Sequence, residues 1–217
     1  MYLAIGTRPD IAYAVGLLSR FNSCPGKIHW NAVQRVFRYL KGTSDFCLEL
    51  GASPSGGVTL SVFSDSDYAG DASKALSTSG YASFIGSSCV SWSSRRQDVV
   101  AKSTTEAELY AANAGASDGT WVTHLLEELG YPQGSSFPLL MDNQSSIKVA
   151  KNPEHHGRMK HIETKYYWIR DQVDLGKLEI KWVASRDNSV DILTKALSRD
   201  LHQHQCSLLG LKRLELD

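Results

Sequence analysis

The chain has 217 residues, with 23 Lys and Arg against 23 Asp and Glu, 42% hydrophobic residues and 21% charged ones. That length suits one medium domain, or one domain with an appendage, and excludes two fused enzymes; the composition excludes a disordered or collagen-like chain. A formal net charge of zero removes the argument for nucleic acid that a uniformly basic chain would give, so charge matters here through its distribution.

In chain order, Thr7-Arg8-Pro9-Asp10 supplies a turn and cap ahead of Ile11, Val15, Leu17, Leu18 and Phe21, whose spacing predicts a first helix. A second helix is predicted over His29–Lys41, ended by Gly42. Trp30, Val33, Phe37 and Leu40 are expected to form its buried stripe, with Arg35, Arg38 and Lys41 on the polar side. Gly51-Ala52-Ser53-Pro54-Ser55-Gly56-Gly57 reads as a linker and sets a boundary.

Beyond it the period changes to two. Val58–Phe63, Tyr81–Ile85 and Cys89–Ser93 read as strands joined closely enough for an antiparallel meander, with Asp65 at the end of the first. Ser103-Thr104-Thr105-Glu106 is a capping box that starts a helix near Thr104, expected to break near Asp118-Gly119; a separate helix through Trp121, Leu125 and Leu129 stops at Gly130. A strand at Leu139–Met141, ended by Asp142, a short helix with Ile147, a helix through Ile169 and Val173, a strand at Leu178–Val183 and a last helix from about Asp187 complete the pass. Strands followed by alternating helices and strands predict an α/β mixed sheet covered on both faces.

No nucleophile elbow, phosphate loop or zinc helix occurs, and Cys24, Cys47, Cys89 and Cys206 form no CxxC pair. What remains is acidic: Asp65, Glu108, Asp142 and Asp191 stand at strand ends or helix starts, where α/β folds gather site residues. Converging carboxylates repel unless cations neutralise them, and an all-oxygen set suits hard Mg²⁺ or Mn²⁺. Spacing alone leaves helix capping by Asp142 and turn formation by Asp65 open as alternatives.

Several blocks in fixed order carry a resemblance. They include Thr7-Arg8-Pro9-Asp10-Ile11-Ala12-Tyr13, Tyr39-Leu40-Lys41-Gly42-Thr43, Ser64-Asp65-Ser66-Asp67-Tyr68-Ala69-Gly70, Ser103-Thr104-Thr105-Glu106-Ala107-Glu108, Asp142-Asn143-Gln144-Ser145 and Asp191-Ile192-Leu193-Thr194-Lys195. Together they resemble the C-terminal end of a copia-type retrotransposon polyprotein over nearly the whole chain. The resemblance implies a helical remnant of the reverse transcriptase connection at 1–52, a ribonuclease H domain at 53–200 and a tail at 201–217. It implies a five-stranded mixed sheet, three antiparallel strands and then two parallel ones, flanked by helices. It also implies metal-dependent cleavage of the RNA strand of an RNA–DNA hybrid, with Asp65, Glu108, Asp142 and Asp191 as ligands of two Mg²⁺ ions, or Mn²⁺ in their place. Asp67, Asp71 and Glu106 are nearby alternatives. Cellular relatives often carry a His before the last acid, and Ala184–Ser189 has none; His155, His156 and His161 stay outside the catalytic set.

Residues 145–186 hold nine basic and five acidic residues, and Arg95 and Arg96 precede the Glu108 helix. Arg95, Arg96, Lys148, Lys160 and Arg186 are therefore the candidates for a phosphate track. The expected partners are the hybrid and the reverse transcriptase domain of the parent polyprotein. With no run of eighteen apolar residues and no signal-like start, the chain is expected to be intracellular, in the cytoplasm within a virus-like particle or in the nucleus. No Tyr-x-Asp-Asp motif occurs, so DNA synthesis is not expected of it. The rival reading is a non-catalytic nucleic-acid- or protein-binding module from a decayed or host-adopted element.

Overall fold

The computed structural model describes residues 1–51, 58–71, 74–151 and 163–214, so most of the expected linker and Arg158, Lys160 and the three histidines at 155, 156 and 161 lie outside the described residues. The N-terminal segment forms α1 (Tyr2–Gly6), a 3-10 turn at Pro9–Ile11, α2 (Ala12–Ser19), α3 (Lys27–Gly42) and β1 (Phe46–Leu48). The chain continues through β2 (Leu60–Asp71), β3 (Leu76–Ile85), β4 (Ser88–Arg96), α4 (Thr104–Glu128), β5 (Phe137–Met141), α5 (Gln144–Lys151), α6 (Glu163–Asp174) and β6 (Leu178–Trp182). It ends with a 3-10 turn at Ser185–Asp187, α7 (Asp191–Thr194), α8 (Arg199–Leu208) and β7 (Leu211–Arg213).

The main sheet has the order β4-β3-β2-β5-β6. β2, β3 and β4 run antiparallel, while β5 lies parallel to β2 and β6 parallel to β5. Tight turns suffice for the meander, whereas each parallel addition needs a crossover, supplied by α4 for β5 and by the segment containing α5 and α6 for β6. The side-chain period of two divides β2 between two cores. Val62 joins Leu109, Leu139, Met141, Ile169 and Ile180 under α4 and α6, and Phe63 packs with Phe84, Val190, Leu193 and Leu209 on the other face. Each fully buried Leu or Ile contributes about 1.5–3 kcal/mol.

β2 is longer than its apolar run. It continues through Ser64-Asp65-Ser66-Asp67 to Asp71, paired with β3 through a bulge between Asp67 and Asp71, so Asp65 sits in mid-strand rather than at a strand end. A polar tail reads as a turn in sequence, yet the ladder bonds of β3 hold it extended. α4 does not break at Asp118-Gly119 but runs unbroken over 25 residues. Gly119 is there for close approach: a Cβ at this position would lie 2.5 Å from the Phe137 ring and 2.8 Å from Val62. Asp118 is tied to the sheet by the hydroxyls of Tyr81, Ser83 and Ser91, at 3.2, 2.6 and 3.0 Å.

Of the apolar stripe expected on α3, Val33 and Leu40 are half-buried, but Trp30 and Phe37 are 59% and 66% exposed. The helix instead turns Ala32, Val36 and Tyr39 inward, toward a cavity of about 920 Å³ that is also lined by Leu17, His202 and Lys195. Polar anchors select this face. Arg8 is buried and donates to Asp10 at 2.7 Å and to the Thr43 carbonyl at 3.0 Å, and the Tyr39 hydroxyl donates to Asp10 at 2.6 Å. The N-terminal segment is joined to the rest by the indole N–H of Trp92, which donates to the Ala4 carbonyl at 2.8 Å, and by the antiparallel pair β1–β7. The segment from 201 onward, read from sequence as tail, thus carries most of α8 and the paired strand β7.

Candidate active site

Three elements deliver the carboxylates. β2 presents Asp65 on the face opposite α4, α4 presents Glu108 one turn past its cap, and Asp142 follows the last residue of β5. One oxygen from each of Asp65, Glu108 and Asp142 lies within 4.8 Å of the others. Opposite ligands around Mg²⁺ stand about 4.2 Å apart, so these oxygens are nearly at the spacing that one small cation requires.

The competing uses of these residues are filled by neighbours. Helix α5 is capped by Asn143, whose Oδ1 accepts from the Ser146 N–H at 3.1 Å, which leaves the Asp142 carboxylate free of that duty. At the start of α4, Ser103 Oγ accepts from the Glu106 N–H at 3.2 Å while Glu106 reaches back to the Lys102 N–H at 2.7 Å. Glu106 is therefore spent on the cap, and Glu108, two residues on, points at the sheet. Asp71 pairs with Arg96 at 2.9 Å and Arg20 at 3.6 Å. The Asp67 carboxylate lies over Gly70, where a Cβ would be 1.9 Å from its Oδ2.

Asp191 lies on the Asp65 side of the cluster. The loop before it is fastened by Asn188, fully buried, whose amide donates to the Ser64 carbonyl at 3.1 Å. α7 then places Thr194 and Lys195 one turn beyond Asp191. The Thr194 hydroxyl makes a short hydrogen bond to Asp65 Oδ2, and the Lys195 ammonium sits 2.9 Å from Asp191 Oδ1 and 3.9 Å from Asp65 Oδ2. Neither Thr194 nor Lys195 is singled out by the acidic pattern. The available signal is helical spacing, since positions i, i+3 and i+4 share a face.

Burial pushes the Asp65 carboxyl up to about 6, opposed by Lys195 and reinforced by Asp191. Glu108 is pushed up to about 9, first by burial and then by the charges of Asp65 and Asp142. Glu108 Oε2 is buried and has no hydrogen-bond partner among the described residues. A buried, unpaired acceptor beside two more carboxylates is the situation a bound cation resolves, and an all-oxygen donor set fits a hard divalent ion.

The basic candidates divide. Across the ladder, Arg95 and Arg96 stand opposite Ser79 and Thr78, which stand opposite Ser66 and Asp67, so both arginines are two strands from the acidic end of β2, roughly 10 Å away. Arg96 is engaged by Asp71, whereas the Arg95 side chain is 78% exposed. Lys148 on α5 and Arg186 in the turn before α7 are exposed, and neither forms an ion pair with the four carboxylates.

An antiparallel three-stranded meander extended by two parallel strands, with helices on both faces and carboxylates gathered at the middle of the sheet, defines an α/β fold of the ribonuclease H type. No family model matches the sequence. The chain is 40% identical over 97% of its length to the retrovirus-related Pol polyprotein from transposon TNT 1-94 of Nicotiana tabacum, of which it spans 16%. It belongs to the copia-type family of retrovirus-related Pol polyproteins from transposons. Over 57% of its length it is also 45% identical to secreted RxLR effector protein 161 of Plasmopara viticola, covering 85% of that protein. Among solved structures, the N-terminal RNase H domain of a Mycobacterium tuberculosis protein aligns with 70% of the chain at 16% identity and a TM-score of 0.45.

Proposed function

We propose that this chain hydrolyses the RNA strand of RNA–DNA hybrids endonucleolytically, with Asp65, Glu108, Asp142 and Asp191 holding two Mg²⁺ ions, or Mn²⁺ in their place. Fold and family both support a ribonuclease H-type activity. The observation that carries the reading is the approach of the Asp65, Glu108 and Asp142 oxygens to within 4.8 Å, with a buried and unpaired oxygen on Glu108. Bound divalent metal supplies a nucleophilic hydroxide near neutral pH and charge stabilisation for the departing 3′ oxygen.

The protein's own part is to hold four carboxylates in a water-poor pocket. Asn188 and Thr194 fix the Asp65–Asp191 side, and the packing of α4 on β2 fixes Glu108. To Arg95, Arg96, Lys148, Lys160 and Arg186 we assign contact with backbone phosphates without reading of bases, Arg96 once it leaves Asp71. We assign the nuclease unit to residues 53–200, with 1–52 as a remnant of the reverse transcriptase connection and 201–217 as an extension. In the parent polyprotein that unit works beside the reverse transcriptase. No helix among the described residues is long and apolar enough to cross a membrane, and an intracellular site of action, in cytoplasm or nucleus, follows from the proposed substrate.

A substrate panel tests the reading. Hybrid is expected to lose its RNA strand, while duplex DNA and single-stranded RNA resist, because the chemistry needs a 2′-hydroxyl on the cut strand and duplex shape for the basic side chains. Equal cleavage of single-stranded RNA would assign the chain to another nuclease class. A second reading, a binding module without catalysis, draws on the Plasmopara relative, which is named as an effector rather than as a polyprotein. It predicts hybrid binding with no cleavage at any metal concentration.

A further inference from the structure

The four carboxylates are not treated alike by their surroundings. Among the described residues Lys195 is the one basic side chain within 4 Å of any of them, and it approaches Asp191 and Asp65 but neither Glu108 nor Asp142. Asp65 therefore belongs to two groupings. With Glu108 and Asp142 it forms an oxygen cluster in which, among the described residues, neither Glu108 nor Asp142 has a cationic side chain within that distance. With Asp191 it shares an ammonium, and the two carboxylate side chains are 4% and 8% exposed.

We propose that Lys195 is a built-in counter-ion standing at the second cation position, so that the two halves of the site load unequally. The inference rests on the two-metal reading above and adds an order to it. The first ion enters at Asp65, Glu108 and Asp142 and displaces no side-chain cation. The second enters between Asp65 and Asp191 only as the ammonium withdraws, because a divalent ion and an ammonium within about 4 Å of each other repel strongly in a pocket of reduced dielectric. The lysine has a way out: its side chain is 38% exposed, and it borders the cavity between α2, α3 and α8. A four-carbon stem spans that movement without disturbing the backbone of α7. Until the second ion arrives, the ammonium offsets the repulsion between Asp65 and Asp191, which makes Lys195 a positioning residue for the metal-free protein.

The test is Mn²⁺ binding to the full chain without nucleic acid, followed by the electron paramagnetic resonance signal of free Mn²⁺, for wild type, Lys195→Met and Lys195→Arg. Wild type is expected to bind in two phases. Lys195→Met is expected to strengthen the second phase roughly tenfold, within the range of coupling between neighbouring charged sites, and to leave the first within about twofold. Lys195→Arg keeps the charge and should stay near wild type. A second readout guards against a folding artefact: metal-free Lys195→Met should melt below wild type and recover on saturation with Mn²⁺. An unchanged second phase in Lys195→Met, with the first phase present, overturns the role of Lys195 alone. Absence of any Mn²⁺ binding in all three proteins overturns the two-metal reading itself.

Discussion

Asp65→Asn and, separately, Asp142→Asn are expected to reduce hybrid cleavage by on the order of a thousandfold, the scale on which single transition-state stabilisers act, while leaving the circular dichroism spectrum unchanged. Each substitution keeps side-chain shape and removes one charged oxygen from the cluster in which Asp65, Glu108 and Asp142 meet within 4.8 Å. Stability should move the other way. In metal-free protein the carboxylates repel and are costly to bury, so either variant should melt at or above wild type. Asp65→Asn has an added cost, because Asp65 Oδ2 accepts the Thr194 hydroxyl and faces Lys195; Asp142→Asn is the cleaner probe. Cleavage near wild-type rates by both variants, with intact spectra, would remove these residues from the mechanism.

The second large effect is on stability against pH. Asp65 and Glu108 have folded-state pKa values raised above the ordinary carboxylate range, to about 6 and about 9. A raised carboxylate holds its proton in the folded state after the unfolded chain has released it, so metal-free protein loses stability as pH rises. The loss begins above about 4, where the unfolded carboxylates ionise, and is complete only above the raised folded values. A displacement of about two units at Asp65 alone corresponds to about 3 kcal/mol, which in a chain of this size lowers the melting temperature by on the order of 5–10 °C. Saturating Mg²⁺ should reverse the trend, since it binds the ionised folded site and not the unfolded chain. Melting curves from pH 5 to 9 in EDTA and in Mg²⁺ check this; a metal-free melting temperature that rises over that range would contradict the assigned burial and repulsion.

Much of the architecture is legible in the residues. The Ser103–Glu106 capping box marks the start of α4 because both of its hydrogen bonds are local, and the strand order follows from a meander, which short loops enforce, plus two crossovers. What sequence leaves hidden depends on distant partners. Gly119 looks like a helix break because glycine disfavours helix, and only the Phe137 ring against it shows why none occurs. On α3 two adjacent apolar faces compete, and the choice falls to the Arg8–Asp10–Tyr39 anchor 29 positions away in sequence. The polar end of β2 reads as a turn until β3 pairs with it.

The site divides in the same way. The acidic residue types are visible in the chain, as are the places of Glu108, Asp142 and Asp191 near element ends but not the mid-strand place of Asp65, and the structure brings Asp65, Glu108 and Asp142 together and sets Asp191 beside Asp65. The lysine between Asp65 and Asp191 is not visible, because an ammonium four residues after an aspartate is also what an ordinary solvent-facing helix pair looks like. Burial of the two carboxylates separates the two cases.

The most direct test of the central claim is incubation of the full chain with an RNA–DNA hybrid labelled on its RNA strand, in Mg²⁺ and in EDTA, followed on a denaturing gel. The account predicts internal cuts in the RNA, ending in 3′-hydroxyls and 5′-phosphates, in Mg²⁺ and none in EDTA. Intact RNA in Mg²⁺ under conditions where the protein binds both metal and hybrid, or equal cutting in EDTA, would contradict it.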